Sequence, residues 1–150
     1  MAQTLVQMFV HVVFSTKNRT DLIALEIEPE LFAYIGGIAA NNNSKLVTAN
    51  GTANHIHLLL LLSKKIELSE IVGDIKRNSS RWIKTKSDNF KTFGWQDGFA
   101  AFSVGKTQVP MVKEYIAKQK EKHGSQQFED EMRMFFGKYE IEYDERYVWD

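Results

Sequence analysis

The segment at residues 54–62 reads Asn-His-Ile-His-Leu-Leu-Leu-Leu-Leu. Apart from two histidines, every position from residue 55 onward is apolar, which predicts a central β-strand covered on both faces. Successive side chains of a strand point to opposite faces. His55 and His57 therefore share one face with the later odd-numbered leucines, and the even-numbered residues point to the other face. The preceding residues, 45–52, predict a partner strand, and Asn50-Gly51 predicts the turn of a hairpin.

The segments on either side extend this hairpin into a known order of elements. Pro29 and Pro110 each fit the first turn of a helix, and Ser69 is expected to cap another. The predicted strands cover residues 5–14, 45–52, 55–62 and 99–104, and the predicted helices cover 29–40, 69–86, 109–122 and 128–139. Strand, helix, strand, strand, helix, strand is the ferredoxin-like split βαβ order, so we expect an α+β fold with an antiparallel sheet. The two C-terminal helices are extra and can cover part of the second sheet face.

The composition indicates one globular domain, residues 1–150. Of 150 residues, 43% are hydrophobic and 25% are charged, which is enough for a single hydrophobic core. The chain has no cysteine, which excludes disulfide scaffolds, thiolate metal sites and thiol nucleophiles. The N-terminus lacks the basic region and cleavage site of a signal peptide, and the longest apolar run is too short to cross a membrane. We therefore expect a cytoplasmic protein with no membrane partner.

The charges balance overall but are unevenly distributed. Nineteen basic and nineteen acidic residues give a net charge of zero, which argues against nonspecific binding to polyanions. Residues 64–91 carry eight basic and four acidic side chains, whereas residues 128–150 carry eight acidic and three basic ones. The basic segment suits a polyanion, although ordinary solvated helix faces produce the same pattern.

Two pairs of side chains suggest chemistry. The imidazoles of His55 and His57, side by side on one strand face, can grip a metal ion, although two hydrogen-bonded histidines at a strand end would leave the same pattern. The predicted helix at 109–122 places Tyr115 and Gln119 one turn apart on one face. A tyrosine beside a cation is a usable nucleophile, and a glutamine carbonyl oxygen can complete a metal site. Equally, the second pair fits a half-buried tyrosine and a solvated glutamine.

Five segments, taken in order, resemble the HUH single-tyrosine transposases, the small TnpA-like enzymes of bacterial insertion sequences. They are residues 9–19 (FVHVVFSTKNR), 55–57 (HIH) followed by leucines, 75–82 (IKRNSSRW), 95–104 (WQDGFAAFSV) and 115–119 (YIAKQ). The resemblance covers almost the whole chain. It departs at Asn54, where the family often has aspartate. Because that residue is not a ligand in the family, we expect only a change in local hydrogen bonding.

The resemblance implies a specific activity. His55 and His57 would bind a divalent metal, Mg²⁺ or Mn²⁺, and Gln119 would supply a third ligand. Tyr115, carried on one of the extra helices, would attack a phosphate of single-stranded DNA and form a 5′-phosphotyrosine link, and a later attack by a 3′-OH would rejoin the DNA. The substrate would be insertion-sequence ends with subterminal hairpins. Family members act as homodimers, and in many of them the tyrosine helix completes the partner's site; residues 106–109 would then be the hinge.

Two groups of polar and basic side chains are candidates for contacts with DNA phosphates. The first is Lys17, Asn18 and Arg19, in a polar loop after the first strand, and the second is Lys76, Arg77, Arg81 and Lys84, on the predicted helix at 69–86. Of the remaining histidines, His11 fits core packing or support of the site. His123 fits a charge near a helix C-terminus.

Other functions remain open from the sequence. A non-enzymatic ferredoxin-like nucleic-acid-binding domain would stack bases on aromatic side chains of its central strands, whereas the central strand here carries histidines and leucines. A metal-sensing or structural dimer would bind metal through the histidines and use Tyr115 only for packing. A domesticated nuclease would keep the transposase chemistry but act on repeated palindromes.

Overall fold

The centre of the molecule is a four-stranded sheet in which every neighbouring pair of strands is antiparallel. The computed structural model describes residues 2–122 and 127–150. The strands, in the spatial order β2-β3-β1-β4, are β1 (Met8–Ser15), β2 (Lys45–Gly51), β3 (His55–Leu62) and β4 (Ala100–Val104). The helices are α1 (Glu28–Asn41), α2 (Leu68–Lys84), α3 (Val109–Ala117), α4 (Gln119–Lys122) and α5 (Phe128–Lys138). The predicted α+β fold of ferredoxin-like order with extra C-terminal helices is confirmed.

The even-numbered side chains of β3 face α1 and α2, as the alternation predicted. Ile56, Leu58 and Leu60 are fully buried. They belong to a cluster that includes Leu31 of α1 and Ile75 of α2. Each helix presents one apolar stripe to the sheet, and such stripes pack only against another apolar surface. This cluster is the main core, and it fixes β3 at the centre of the sheet.

The odd-numbered face of β3 is covered by the C-terminal helices. Leu59 packs with Val109 and Ile116 of α3, and Val13 of β1 packs with Met132 of α5. The extra helices therefore lie on the second sheet face, where the sequence analysis expected them, and the two strand histidines are enclosed beneath them. None of the described helices has the length and apolar character needed to cross a membrane.

The hairpin between β2 and β3 forms, but its predicted turn is wrong. Asn50 and Gly51 are paired in the ladder with residues of β3, and residues 52–54 make the connection. A β-carbon on Gly51 would lie 2.3 Å from the carbonyl oxygen of His55. The glycine is therefore required by the close approach of two backbones, and not by a turn.

Two details of the helices also differ from prediction. The helix predicted over residues 109–122 breaks at Lys118, whose φ and ψ are −95° and 11°, so its two functional candidates lie in α3 and α4. The N-cap of α2 is Glu67, whose side chain makes no capping hydrogen bond, and Ser69 is not the cap. Packing of the apolar stripe against the sheet stabilises α2 instead. The predicted dipole contact of His123 lies outside the described residues.

Candidate metal and nucleophile site

His55 and His57 lie at the start of β3 and are completely buried. Their ring centroids are 5.2 Å apart, which follows from the two-residue repeat of a strand. Both Nε2 atoms lie 3.2 Å from Oε1 of Glu131 on α5. The two imidazoles therefore point at one carboxylate oxygen, which is brought to them by the last helix.

Glu131 is the member of this cluster that the sequence analysis missed. It is only 2% exposed. Its second oxygen, Oε2, accepts hydrogen bonds from the side-chain amide of Gln119 at 3.1 Å and from the Tyr115 hydroxyl. One signal could have found it: Glu131 interrupts a buried stripe of α5 that includes Phe128 and Phe135, and a carboxylate is rarely buried without a partner.

Tyr115 and Gln119 reach the same carboxylate although the helix breaks between them. Gln119 is completely buried, and its Oε1 lies 3.3 Å from Nε2 of His55. Tyr115 is half-buried, and its ring centroid is 5.8 Å from that of His57. The structure thus brings together, within one chain, all four residues that the sequence analysis predicted as catalytic or metal-binding.

The hydrogen bonds of His55 orient its Nε2 towards the oxygen atoms of the cluster. Asn54 Oδ1, which can only accept, lies 2.8 Å from Nδ1 of His55, so that nitrogen carries the proton. A neutral His55 then presents a lone pair at Nε2 to oxygens of Glu131 and Gln119, which are also acceptors. Nitrogen and oxygen lone pairs directed at one another in this way can act as ligands of one cation.

His11 of β1 contacts the ring nitrogen of His57 that faces away from Glu131. Its Nε2 lies 2.8 Å from Nδ1 of His57, so one of these nitrogens donates to the other. Burial, and after it the neighbouring His57, lower the pKa of His11 to about 3, although Glu131 partly opposes both effects. A neutral His11 can therefore fix the ring orientation of His57, as buried partners of metal-binding histidines do.

The electrostatics of the cluster keep Tyr115 protonated. Burial raises the pKa of its phenol well above the ordinary value, and the hydrogen bond to Glu131 and the charge of that carboxylate raise it further. Burial alone would raise the pKa of Glu131, but interactions with the His55 and His57 imidazoles and with the Tyr115 hydroxyl outweigh it and hold that pKa well below its usual range. At neutral pH an ionised carboxylate thus accepts a hydrogen bond from a neutral phenol.

The donor set fits a divalent metal ion. His55, His57 and Glu131 can each offer one ligand atom, and these atoms lie within 4.8 Å of one another. The amide oxygen of Gln119 adjoins them. A mixed set of imidazole nitrogens and hard oxygens suits Mn²⁺, whereas Mg²⁺ prefers oxygen ligands alone. An ion held by these residues would lie between the facing acceptors.

The first predicted DNA-contact group lies at the edge of this site. Lys17, Asn18 and Arg19 form a short 3₁₀ turn directly after β1, whose last residue is paired with His55. Lys17 and Asn18 are exposed. The guanidinium of Arg19 donates to the carbonyl oxygen of Trp149 at 3.1 Å, so the C-terminal segment lies against this turn.

The second predicted group does not adjoin the cluster, because α2 covers the other sheet face. Arg77, Arg81 and Lys84 are exposed on this helix. Lys76 is half-buried, and its ammonium donates to three backbone carbonyl oxygens of the 96–98 loop. The pKa of Lys76 is lowered to about 8, because burial outweighs the opposing effect of the Asp97 carboxylate. The structure therefore separates Lys76, which anchors a loop, from its three exposed neighbours.

Comparison with known families identifies the family of this chain. The family described as "Transposase IS200 like" matches residues 4–119, which include both strand histidines, Tyr115 and Gln119. The chain belongs to this IS200-like transposase family. Its class is therefore that of DNA-processing enzymes of transposition. Glu131 lies beyond the matched region.

One curated protein and two solved structures are similar to this IS200-like transposase. The chain is 23% identical over 121 residues to the ISDra2 transposase TnpA of Deinococcus radiodurans. This match covers 77% of this chain and 86% of that protein. A crystal structure of a Deinococcus radiodurans transposase shares the fold with a TM-score of 0.62 and 20% identity, over 79% of this chain and 95% of the other. The structure of a REP-associated tyrosine transposase bound to a REP hairpin also shares the fold, with a TM-score of 0.62 and 15% identity. The match covers 83% of this chain and 73% of the other.

Proposed function

We propose that this transposase cleaves and rejoins single-stranded DNA through a covalent link to Tyr115, at a divalent metal ion held by His55, His57, Gln119 and Glu131. One observation carries the proposal. The Tyr115 hydroxyl donates to the same buried carboxylate that contacts both histidines and Gln119. A nucleophile and a set of convergent metal-binding atoms thus occupy one site, as phosphoryl transfer requires.

The chemistry assigned to Tyr115 is an in-line displacement at phosphorus. Its phenol oxygen forms a bond to the phosphate, the bond from phosphorus to the 3′ oxygen breaks, and the products are a 5′-phosphotyrosine and a free 3′-OH. The phenol proton leaves, and the departing 3′ oxygen gains one. Attack by a 3′-OH on the phosphotyrosine reverses these bond changes and joins the DNA without a nucleotide cofactor.

The protein groups around Tyr115 prepare this step. Glu131 fixes the direction of the phenol hydroxyl through its Oε2. His11 and Asn54 fix the two metal-facing imidazoles through their Nδ1 atoms. A divalent ion bound there supplies positive charge that stabilises the phosphate oxygens and the ionised phenol. Because the cluster is buried, few water molecules compete with the tyrosine for the phosphate.

The DNA path proposed for the strand to be cut passes the turn at residues 17–19, which adjoins His55 through β1. Lys17, Asn18 and Arg19 would contact backbone phosphates there. Arg77, Arg81 and Lys84, on the opposite face, would hold a more distant part of the DNA, such as a subterminal hairpin, and Lys76 would act with them only by anchoring its loop. A homodimer would place two such sites on two DNA ends.

The competing proposal, a binding domain without catalysis, is disfavoured by the sheet. Ferredoxin-like RNA-binding modules stack bases on an open sheet face. In this chain α1 and α2 cover one face, and α3 and α5 cover the other. The central strands thus have no free face over residues 2–122 and 127–150 on which bases could stack.

A covalent-trapping experiment tests the proposed function. Labelled single-stranded DNA that carries insertion-sequence ends is incubated with the protein, with and without Mn²⁺, and resolved on a denaturing protein gel. We expect a metal-dependent labelled band at the size of the protein, absent for Tyr115→Phe. Tyr147→Phe is the matched control, because Tyr147 is 63% exposed, and it should retain the band. A band that persists in Tyr115→Phe would refute the assigned nucleophile.

A further inference from the structure

The end of α3 is attached to strand β2 by one side chain. Asn50 Nδ2 donates hydrogen bonds to the carbonyl oxygens of Ile116 at 3.0 Å and Ala117 at 3.2 Å. The last carbonyls of a helix lack partners further along the chain, so an outside donor can satisfy them. Ile116 and Ala117 directly follow Tyr115. Asn50 therefore fixes the end of the helix that carries the proposed nucleophile.

Lys120 attaches the next segment, α4, at the same place. Its Nζ lies 2.7 Å from Oδ1 of Asn50 and 2.7 Å from Oε1 of Glu28. Glu28 lies in the first turn of α1 and is only 6% exposed, so its carboxylate needs the ammonium for compensation. Because Lys120 directly follows Gln119, both sides of the helix break are attached to β2 and α1.

The attachment point is in register with the candidate metal site. Asn50 is paired with His57 in the ladder of β2 and β3, and directly opposed residues of such a ladder lie about 5 Å apart. Any shift of the junction between α3 and α4 relative to Asn50 would therefore displace Tyr115 and Gln119 from the two histidines. The position of the nucleophile depends on contacts that lie outside the cluster itself.

We propose that Asn50, Lys120 and Glu28 form a latch that holds Tyr115 and Gln119 over His55 and His57, so that the cleavage rate depends on contacts that lie outside the cluster. This inference rests on the proposed function. The three latch residues are positioning residues, because they act on the reaction through the helix that they hold.

Variants of the latch test its effect on the rate. Asn50→Ala should lower the single-turnover cleavage rate about 10- to 100-fold, because a small displacement of a reacting group has an effect of this size. DNA affinity should stay within about twofold, since the latch makes no proposed phosphate contact. The double variant Glu28→Gln and Lys120→Met should lower the cleavage rate to a similar extent. It removes both charges of the ion pair, so neither is left buried without its partner. Lys118→Ala removes an exposed lysine paired with Glu114 at 2.9 Å, and this control should cleave at the wild-type rate. Wild-type rates in both latch variants would overturn the proposal.

Each latch variant is first checked for a cooperative thermal transition and for DNA binding; if one fails, the rate of the other latch variant decides. No cleavage by the wild type on any insertion-sequence end would refute the proposed function instead, so the two failures are distinguishable.

Discussion

Glu131→Gln should separate the proposed metal-binding role of Glu131 from its role in folding. In the wild type, a carboxylate oxygen and the lone pair of His55 Nε2 face each other at 3.2 Å. A glutamine amide in the same place can donate to that nitrogen. We therefore expect the metal-free variant to have a free energy of unfolding within about 1 kcal/mol of the wild type.

With Mn²⁺ the two proteins should differ. A ligand at 100 times its Kd adds about 2.7 kcal/mol to the free energy of unfolding. For a domain of 150 residues, this raises the melting temperature by about 5–11 °C. Glu131 is the anionic member of the proposed ligand set, and its loss should weaken Mn²⁺ binding about 100-fold. Loss of a residue that only orients a metal ligand already weakens metal binding by about 10- to 100-fold. At the same Mn²⁺ concentration the variant would gain only about 0.4 kcal/mol, or about 1–2 °C.

The assay is thermal unfolding without DNA, with and without Mn²⁺, so that it reads metal binding apart from activity. Asp130→Asn is the matched control. It removes the same charge one residue away, from a side chain that is 63% exposed and paired with Arg133, and it should keep the wild-type shift. A wild-type shift in Glu131→Gln would show that Glu131 is not a ligand. No shift in the wild type would show that the cluster does not bind Mn²⁺.

Three further predictions concern the DNA contacts and the nucleophile. Lys76→Ala should lower the free energy of unfolding by about 2–4 kcal/mol, because it leaves three carbonyl oxygens of the 96–98 loop without their donor. Arg77→Ala, at an exposed position, should change that free energy by less than about 0.5 kcal/mol and weaken DNA binding. Equal melting curves for the two variants would contradict the anchoring role of Lys76. Arg19→Ala should lower the slope of log affinity against log salt concentration by about 0.7 for single-stranded DNA, measured by titration at several salt concentrations, and an unchanged slope would exclude a phosphate contact. The single-turnover cleavage rate should rise with pH by up to about tenfold per pH unit. The raised pKa of Tyr115 leaves the phenol neutral at pH 7, so the reactive ionised fraction grows as the pH rises. A flat profile from pH 6 to 9 would mean that ionisation of the phenol does not limit the rate.

The local patterns of the sequence predicted the scaffold well, because the causes are local. The apolar run after His57 specified a central strand, and β3 has the bounds that were predicted for it. Period two placed both histidines on one face, which the structure confirms. The pattern misled at Asn50-Gly51, because an Asn-Gly pair suits a tight turn as well as a close contact between strands, and the distinction depends on the backbone of His55.

Two members of the site show why the rest required the folded chain. Glu131 is far from His55 in the sequence, and it reaches the imidazoles only because α5 packs across the second face of the sheet. Lys120 meets Glu28 only because α4 lies beside the start of α1. Neither contact has a periodic signal, since a single charged residue on a helix looks the same whether it faces solvent or a buried partner.

The sequence by itself determined the order of strands and helices, the shared face of the two histidines, and the segments that resemble single-tyrosine transposases. Only the tertiary structure decided that Glu131 joins the histidines, that the tyrosine helix breaks before Gln119, and that Asn50 and Lys120 hold it to its own sheet. The physical reason is range. Strand alternation and helix periodicity act over a few residues, whereas convergence of acceptor atoms on one point depends on how distant elements pack.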